Sequence, residues 1–121
     1  MIGSTMETQF FDQGDILLVV CKGEWIPDGV TRMLEGVREK TLALNQSRVL
    51  LDWRGVSKPE KNYYRIRGGV EVAEIVPRHV RLAVVYHQAL INKLAENVAV
   101  NRGAGFRVCG DWDEAMGWLF M

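Results

Sequence analysis

Hydrophobic residues follow two spacings along the chain, and each spacing predicts a different kind of element. Short apolar runs are typical of strands, whereas apolar positions three or four residues apart mark the buried face of a helix. Strands are predicted at 7–11, 15–22, 48–53, 80–86 and 106–109. Helices are predicted at about 27–45, 57–76, 87–102 and from 112 onwards. The predicted order is therefore β-β-α-β-α-β-α-β-α.

Three of these strands are nearly continuous aliphatic runs, at 16–20, 49–51 and 82–85. Strands covered by helices on both faces have this pattern, whereas a sheet with one face in water alternates apolar and polar residues. The helices between the strands are long enough for crossover connections, so these strands are expected to be parallel. The short link at 12–14 instead predicts a hairpin, which makes the first strand antiparallel. We predict a single α/β domain over residues 1–121, with a mostly parallel five-stranded sheet, an antiparallel N-terminal strand and four helices.

Residues at the helix ends indicate where three of the helices begin. Pro27 suits a first helical turn, where its missing N–H costs nothing. Ser57 and Glu60 have the spacing of a capping box, in which each side chain binds the backbone N–H of the other residue. Asp111 and Glu114 repeat this spacing before the last helix. The third strand is expected to end just before the capping box, at the glycine of position 55.

Apolar spacing also predicts which helix faces are buried. The second helix is expected to bury Tyr63, Ile66, Val70 and Ala73, and the third to bury Leu90, Ile91, Leu94 and Val98. The pair Gly68-Gly69 interrupts the second helix, at a cost of roughly 1 kcal/mol per glycine relative to alanine. A close contact between this helix and the sheet, or a kink, would explain the pair, and the sequence leaves both explanations open.

Composition and charge exclude several classes of protein. Of 121 residues, 48% are hydrophobic and 25% are charged, and fifteen basic side chains balance fifteen acidic ones. No net field therefore attracts nucleic acid or an anionic membrane. The longest apolar run is far shorter than the roughly 20 residues of a membrane span. Cys21 and Cys109 are expected to be buried free thiols. Because Met1–Phe11 does not have the pattern of a signal peptide, the expected location is the cytoplasm.

Several segments occur in an order that resembles one known family. They are the strand ending in Gly23, the strand and turn 48–55, the strand 81–85, and the tail segments 106–108 and 114–119. In this order they resemble the SpoIIAA-like family of small bacterial proteins. That family is related to the STAS domains of anti-sigma-factor antagonists and, more loosely, to SEC14-type lipid carriers. The resemblance covers about residues 10–120.

This resemblance implies a non-enzymatic regulatory or interaction module with a protein partner whose identity is unknown. The SEC14-type relatives imply the alternative, a carrier or sensor of a small apolar or amphipathic ligand. Anti-sigma-factor antagonists carry a phosphorylatable serine, usually in Asp-Ser-Ser-Gly, after the strand that resembles Val49–Asp52. The matching stretch here ends in Glu60-Lys61-Asn62 and has no acceptor hydroxyl there. Ser57 lies a turn earlier, as a helix cap or a displaced phosphorylation site, so the kinase-controlled switch is not implied.

Ligands of open α/β sheets bind beyond the carboxyl ends of the parallel strands. The side chains that we expect there as a candidate ligand site are Trp25, Asp52, Trp53, Arg54, Tyr86 and His87. The alternative is that polar residues gather at strand ends as caps and ion pairs, with Arg54 paired to Asp52 or Asp111. No catalytic, metal or nucleotide motif accompanies them, so no catalytic residue, metal or cofactor is predicted. An enzyme with its site at this edge is the third interpretation.

A dense apolar cluster lies at the C-terminus. Its members, the candidate interface residues, are Trp112, Met116, Trp118 and Phe120. One inner helix face cannot bury all of them, so we expect a homodimer, to which Phe10 and Phe11 also contribute. Additional packing within the chain is the alternative.

Overall fold

A computed structural model describes residues 5–121; the expectation about a leader segment falls in part on residues 1–4, which lie outside the described residues. The strands are β1 (Met6–Asp12), β2 (Leu17–Gly23), β3 (Arg48–Val56), β4 (Arg81–Val85) and β5 (Gly105–Cys109). The helices are α1 (Pro27–Leu44), α2 (Asn62–Ile75), α3 (Leu94–Asn101) and α4 (Trp112–Leu119). In this part of the chain, no helix has the length and hydropathy needed to cross a membrane.

The strands form one sheet in the order β1-β2-β3-β4-β5. β1 is antiparallel to β2, and every other neighbouring pair is parallel. Leu17 lies opposite Val49, and Val49 lies opposite Leu82, so the three aliphatic runs are side by side in the sheet. The predicted fold class is confirmed, and the strand order, which the sequence left open, follows the order of the chain.

Helices cover the two faces of the sheet unequally. α1, α2 and α3 pack on one face, where Val19, Val49 and Leu82 are fully buried. α4 packs on the other face, over β3, β4 and β5. Leu18 and Val20 of β2 are only partly buried on that face. The predicted cover on both faces therefore holds for the centre of the sheet, but the α4 side of β2 is partly open.

Three of the predicted helix boundaries agree with local geometry. α1 begins at Pro27 and ends before Asn45, which takes a left-handed φ of 52°. Before α4, the Oδ1 atom of Asp111 accepts a hydrogen bond from the backbone N–H of Glu114 at 2.8 Å. This bond satisfies one of the free N–H groups at the helix start, so the predicted cap is confirmed.

The capping box predicted from Ser57 is wrong. β3 continues past Gly55, and the N–H of Ser57 donates to the carbonyl oxygen of Gly23 at 2.9 Å. Gly55 allows this extension, because a Cβ atom there would lie only 2.8 Å from a side chain of β2. Ser57 is thus bound to the end of β2 and cannot cap α2, which begins only at Asn62 and has no side-chain cap.

α2 buries a different face from the predicted one. Tyr63 and Ile66 are 61% and 38% exposed. The buried residues of α2 are Arg65, Gly68, Gly69 and Val72. A Cβ atom on Gly69 would lie 2.5 Å from the carbonyl oxygen of Ala95, so α2 and α3 approach each other closely at this glycine. The close contact is between two helices and not, as one explanation had it, between helix and sheet.

The predicted third helix is divided into two parts. A 3₁₀ helix spans Gln88–Leu90, and α3 begins only after Lys93, which has a left-handed φ of 61°. Ala99 is the buried residue of α3, whereas the four positions predicted to face inward are only partly buried. Gly103, with a φ of 93°, follows the end of α3 as predicted.

Candidate functional site

The six side chains predicted at the strand ends separate onto the two faces of the sheet. Successive residues of a strand point to opposite faces. Trp53 and Tyr86 join the core beneath α1–α3, and Trp25 packs against it from the β2–α1 connection. We call these three the aromatic cluster. Asp52, Arg54 and His87 follow the other parity, towards α4, and form the polar group.

The rings of the aromatic cluster meet edge to face. Trp25 and Trp53 have ring centroids 5.2 Å apart at an interplanar angle of 84°, and Trp25 and Tyr86 have centroids 6.2 Å apart. Such arrangements are favourable because the positive edge of one ring faces the negative face of the other. The hydroxyl of Tyr86 donates to the carbonyl oxygen of Ser57 at 3.0 Å, which ties the cluster to the segment after β3.

A cavity adjoins the aromatic cluster, between the sheet and α1–α3. The cavity volume available to water is about 60 Å³. Its apolar wall includes Met33, Leu34, Leu51, Val84, Ile91 and Phe106. Asn92 and Lys93, which are exposed, also line it, so the cavity opens to the surface beside α3. The space suffices for water or for a small apolar group.

Arg65 of α2 belongs to this site, although the sequence did not indicate it. The residue is only 7% exposed, and its guanidinium carbon lies 5.5 Å from the ring centroid of Trp25. Among residues 5–121, no carboxylate forms an ion pair with it. Burial lowers the pKa of Arg65 because it disfavours the charged form. Arg65 lies between Tyr63 and Ile66, which the apolar spacing had assigned to the buried face.

Three buried N–H donors of this site have no hydrogen-bond acceptor within the described part of the chain. They are Nε1 of Trp25, Nε1 of Trp53 and Nε of Arg65. A buried donor without an acceptor costs about 1–3 kcal/mol, and more when the group is charged. The residues that line the cavity thus include an apolar wall and, at the aromatic cluster, three buried donors without an acceptor in the described residues.

The polar group is an ion pair at the surface. Nε and Nη2 of Arg54 donate to the two carboxylate oxygens of Asp52 at 2.9 and 3.0 Å, as one alternative in the sequence analysis stated. This bond from Arg54 is the main cause of a lowered pKa of Asp52. Nε2 of His87 lies 3.0 Å from the carbonyl oxygen of Arg54. Because Arg54 and His87 are exposed, these residues do not form the deep cleft that the enzyme interpretation requires.

The candidate interface residues are largely engaged within the chain. Trp112, Met116 and Trp118 are partly buried against the core beneath α4, whereas Phe120 is 44% exposed. Arginine side chains lie over three of the rings: Arg54 at 5.5 Å from the Trp112 centroid, Arg81 at 5.3 Å from Trp118 and Arg48 at 4.3 Å from Phe120. The packing alternative thus accounts for most of this cluster, and dimerisation stays a prediction.

Phe10 and Phe11 do not act together as expected, because they lie on opposite faces of β1. Phe10 is partly buried against the core beneath α1, close to Gly36. Phe11 is paired with Leu18, which lies on the α4 side of the sheet, and is 44% exposed. Of these two residues, Phe11 is therefore the one available to a partner on the α4 side.

The sheet order, the antiparallel β1 and the division of helices between the faces define an α/β protein with the SpoIIAA-like, or STAS, fold. The chain is similar to an anti-sigma factor antagonist from Mycobacterium paratuberculosis, with 14% identity and a TM-score of 0.64. The match covers 97% of this chain and 96% of that one. It is also similar to an uncharacterised protein with a SpoIIAA-like fold from Shewanella loihica, with 11% identity and a TM-score of 0.56, over 98% of this chain and 97% of that one. No protein-family model and no curated protein matches the chain. The predicted resemblance is confirmed for the fold.

Proposed function

We propose that the protein is a non-enzymatic regulatory module of the STAS type, which acts by binding another protein and has no phosphorylatable serine switch. Its fold is similar over nearly the whole chain to that of an anti-sigma factor antagonist. Residues 61–64, at the start of α2, contain no serine or threonine. Ser57 lies outside the helix, and its backbone binds Gly23 and Tyr86. These observations favour contact with a protein over control by phosphorylation at this helix.

The observation that carries this proposal is an exposed apolar stripe on α2. Tyr63 and Ile66 are 61% and 38% exposed, and Val70, a turn further on, is partly buried. Residues three or four apart lie on one side of a helix, so the three form a continuous strip, which we call the α2 surface. Apolar strips that face water on a folded domain are typical of protein interfaces. The α2 surface is the proposed contact.

A pair of variants tests the proposal once pull-down from the native cell has identified a partner. We expect the double substitution Tyr63→Ser and Ile66→Ser to weaken binding of the purified partner at least about tenfold, since a few exposed apolar side chains carry most interface energy. Leu42→Ser on α1, where Leu42 is 59% exposed, is the matched control and leaves the affinity unchanged. The free energy of unfolding of each variant should lie within about 0.5 kcal/mol of that of the parent protein. The absence of a specific partner, or equal affinities for both variants, contradicts the proposal.

The cavity supports a second candidate function, a carrier or sensor of a small apolar or amphipathic ligand. Its support is the combination of apolar walls and three buried donors beside the aromatic cluster. Gly68 lines this cavity, and a Cβ atom there would meet nothing within 4 Å. Native mass spectrometry of protein from its own host should show a bound small molecule that Gly68→Leu removes. Absence of any bound molecule from both forms contradicts this candidate.

A further inference from the structure

We infer that the cavity binds a small apolar molecule carrying one carboxylate, with the carboxylate beside Arg65, Trp25 and Trp53 and the apolar part along α2 at Gly68. This inference rests on the second candidate function and specifies the chemistry of its ligand. The charge of the lining, the unpaired donors and the free space in the cavity support it.

The charge of the cavity lining favours an anion. Among residues 5–121, the charged residues that line the cavity are Arg65 and Lys93. No aspartate or glutamate of this range lines it. Lys93 has a partner, because its Nζ atom lies 3.2 Å from a carboxylate oxygen of Glu96. Arg65 is buried and has no such partner among the described residues. A buried charge without a counter-ion is strongly unfavourable, so a ligand that supplies a negative charge here gains affinity.

The donors favour a group with several acceptor lone pairs. Nε of Arg65 and Nε1 of both Trp25 and Trp53 are buried and have no acceptor in residues 5–121. The guanidinium of Arg65 and the ring of Trp53 lie 5.5 and 5.2 Å from the ring of Trp25, and all three residues line the cavity. A carboxylate has two oxygens and accepts about four hydrogen bonds, whereas an alcohol carries no charge and offers one oxygen. The carboxylate therefore fits this region better.

The apolar part of the ligand has space beside α2. Gly68 is buried in the helix, lines the cavity and leaves the position of a Cβ atom open. The surrounding wall is mainly aliphatic and aromatic, with Met33, Leu51 and Phe106 among its residues. Burial of methylene groups against such a wall is favourable, because it removes apolar surface from water. Affinity should therefore rise with chain length until the cavity is filled.

Titrations followed by tryptophan fluorescence test the inference. The ligands are the straight-chain carboxylates from butanoate to decanoate, each compared with the primary alcohol of the same length. We expect the parent protein to bind its best carboxylate at least about tenfold more tightly than the matching alcohol, as a charge-assisted hydrogen bond implies. Arg65→Met should abolish this preference. Arg67→Met is the matched control, since Arg67 lies on the same helix in surface ion pairs with Asp28 and Glu71, and should retain it.

A second pair of variants tests where the apolar part lies. Gly68→Leu should abolish binding of carboxylates and alcohols alike, and the smaller Gly68→Ala should weaken binding of the longest ligands first, which keeps the test informative if the leucine variant does not fold. Equal affinity of the parent protein for carboxylates and alcohols, unchanged by Arg65→Met, overturns the inference about the carboxylate and leaves the ligand function intact. Saturable binding of no member of either series overturns both. Binding that survives in folded Gly68→Leu overturns the placement in the cavity.

Discussion

Burial decides the chemistry of individual side chains in this protein, and Cys21 shows this most directly. It is 1% exposed, and its Sγ atom lies 3.6 Å from the hydroxyl oxygen of Thr8. Burial raises the pKa of Cys21 from 9.0 to about 12, because the thiolate loses its hydration. Cys21 and Cys109 are both free and buried, as predicted. Burial therefore favours the neutral thiol of Cys21 and makes it a poor nucleophile.

The raised pKa of Cys21 predicts a loss of stability at high pH. The pKa of Cys21 in the folded protein is higher than that of a thiol in the unfolded chain. The contribution of Cys21 to the free energy of unfolding is therefore complete below about pH 9 and is lost as the pH rises towards 12. Over that window, ionisation of Cys21 lowers the free energy of unfolding by about 1.4 kcal/mol per pH unit. We expect the difference in unfolding free energy between the parent protein and Cys21→Ala to shrink above pH 9. Urea denaturation at pH 7 to 10.5 measures it, and a constant difference contradicts the prediction.

Adjacent glycines of one helix have opposite roles, which is visible only at the scale of elements. A Cβ atom on Gly69 would lie 2.5 Å from the carbonyl oxygen of Ala95 in α3, whereas one on Gly68 would meet nothing within 4 Å. Both residues are buried in α2. Gly69 thus allows α2 and α3 to approach, while Gly68 leaves the cavity open at a cost in helix propensity. The free space at Gly68 is consistent with the proposed ligand site.

Alanine at each glycine should therefore change stability in opposite directions. Gly69→Ala should lower the free energy of unfolding by about 1–3 kcal/mol, because backbone atoms of α3 must move. Gly68→Ala should raise it by up to about 1 kcal/mol. Gly117→Ala is the control on α4, where the glycine is exposed and a Cβ atom would also meet nothing within 4 Å; a gain similar to that of Gly68→Ala is expected. Chemical denaturation measures all three, and a destabilised Gly68→Ala would argue against free space at that position.

At the scale of the whole molecule, the two faces of the sheet differ in what they leave exposed. α1, α2 and α3 cover one face, whereas the α4 side of β1 and β2 retains partly exposed apolar residues. Phe11 is 44% exposed there, opposite Leu18. Phe120, which follows α4, is equally exposed and stacks on Arg48. We place the interface of the predicted homodimer on this side, with Phe11 and Phe120 as its exposed rings.

The predicted homodimer is testable on this side of the molecule. Native mass spectrometry should detect two chains per particle for the parent protein. The double substitution Phe11→Ser and Phe120→Ser should yield single chains, because it removes the two exposed rings that we expect at the interface. Leu42→Ser, on α1 and the opposite face, should remain dimeric. A monomeric parent protein, or a double variant that stays dimeric, would show that this prediction is wrong.

Local sequence determined most of the architecture of this protein. The aliphatic runs at 16–20, 49–51 and 82–85, the spacing of apolar residues in α1 and the cap of α4 each depend on residues close together in the chain. Hydrophobic period and capping chemistry act over such short distances, so the strands, the hairpin and the fold class followed from them. The aromatic cluster and the pair Asp52–Arg54 were also expected, because strand ends gather at one edge of a parallel sheet.

Tertiary contacts decided the features that depend on residues far apart in the chain. Ser57 does not cap α2, because its backbone pairs with Gly23. α2 buries Arg65 in place of Tyr63, because the close contact of Gly69 with Ala95 places that face against α3. No local pattern predicts the contact between Gly69 and Ala95, because the two residues are 26 positions apart in the chain. The apolar period of a helix describes its own residues, whereas the face that is buried depends on what packs against it. The cavity and its unpaired donors exist only after those contacts have formed.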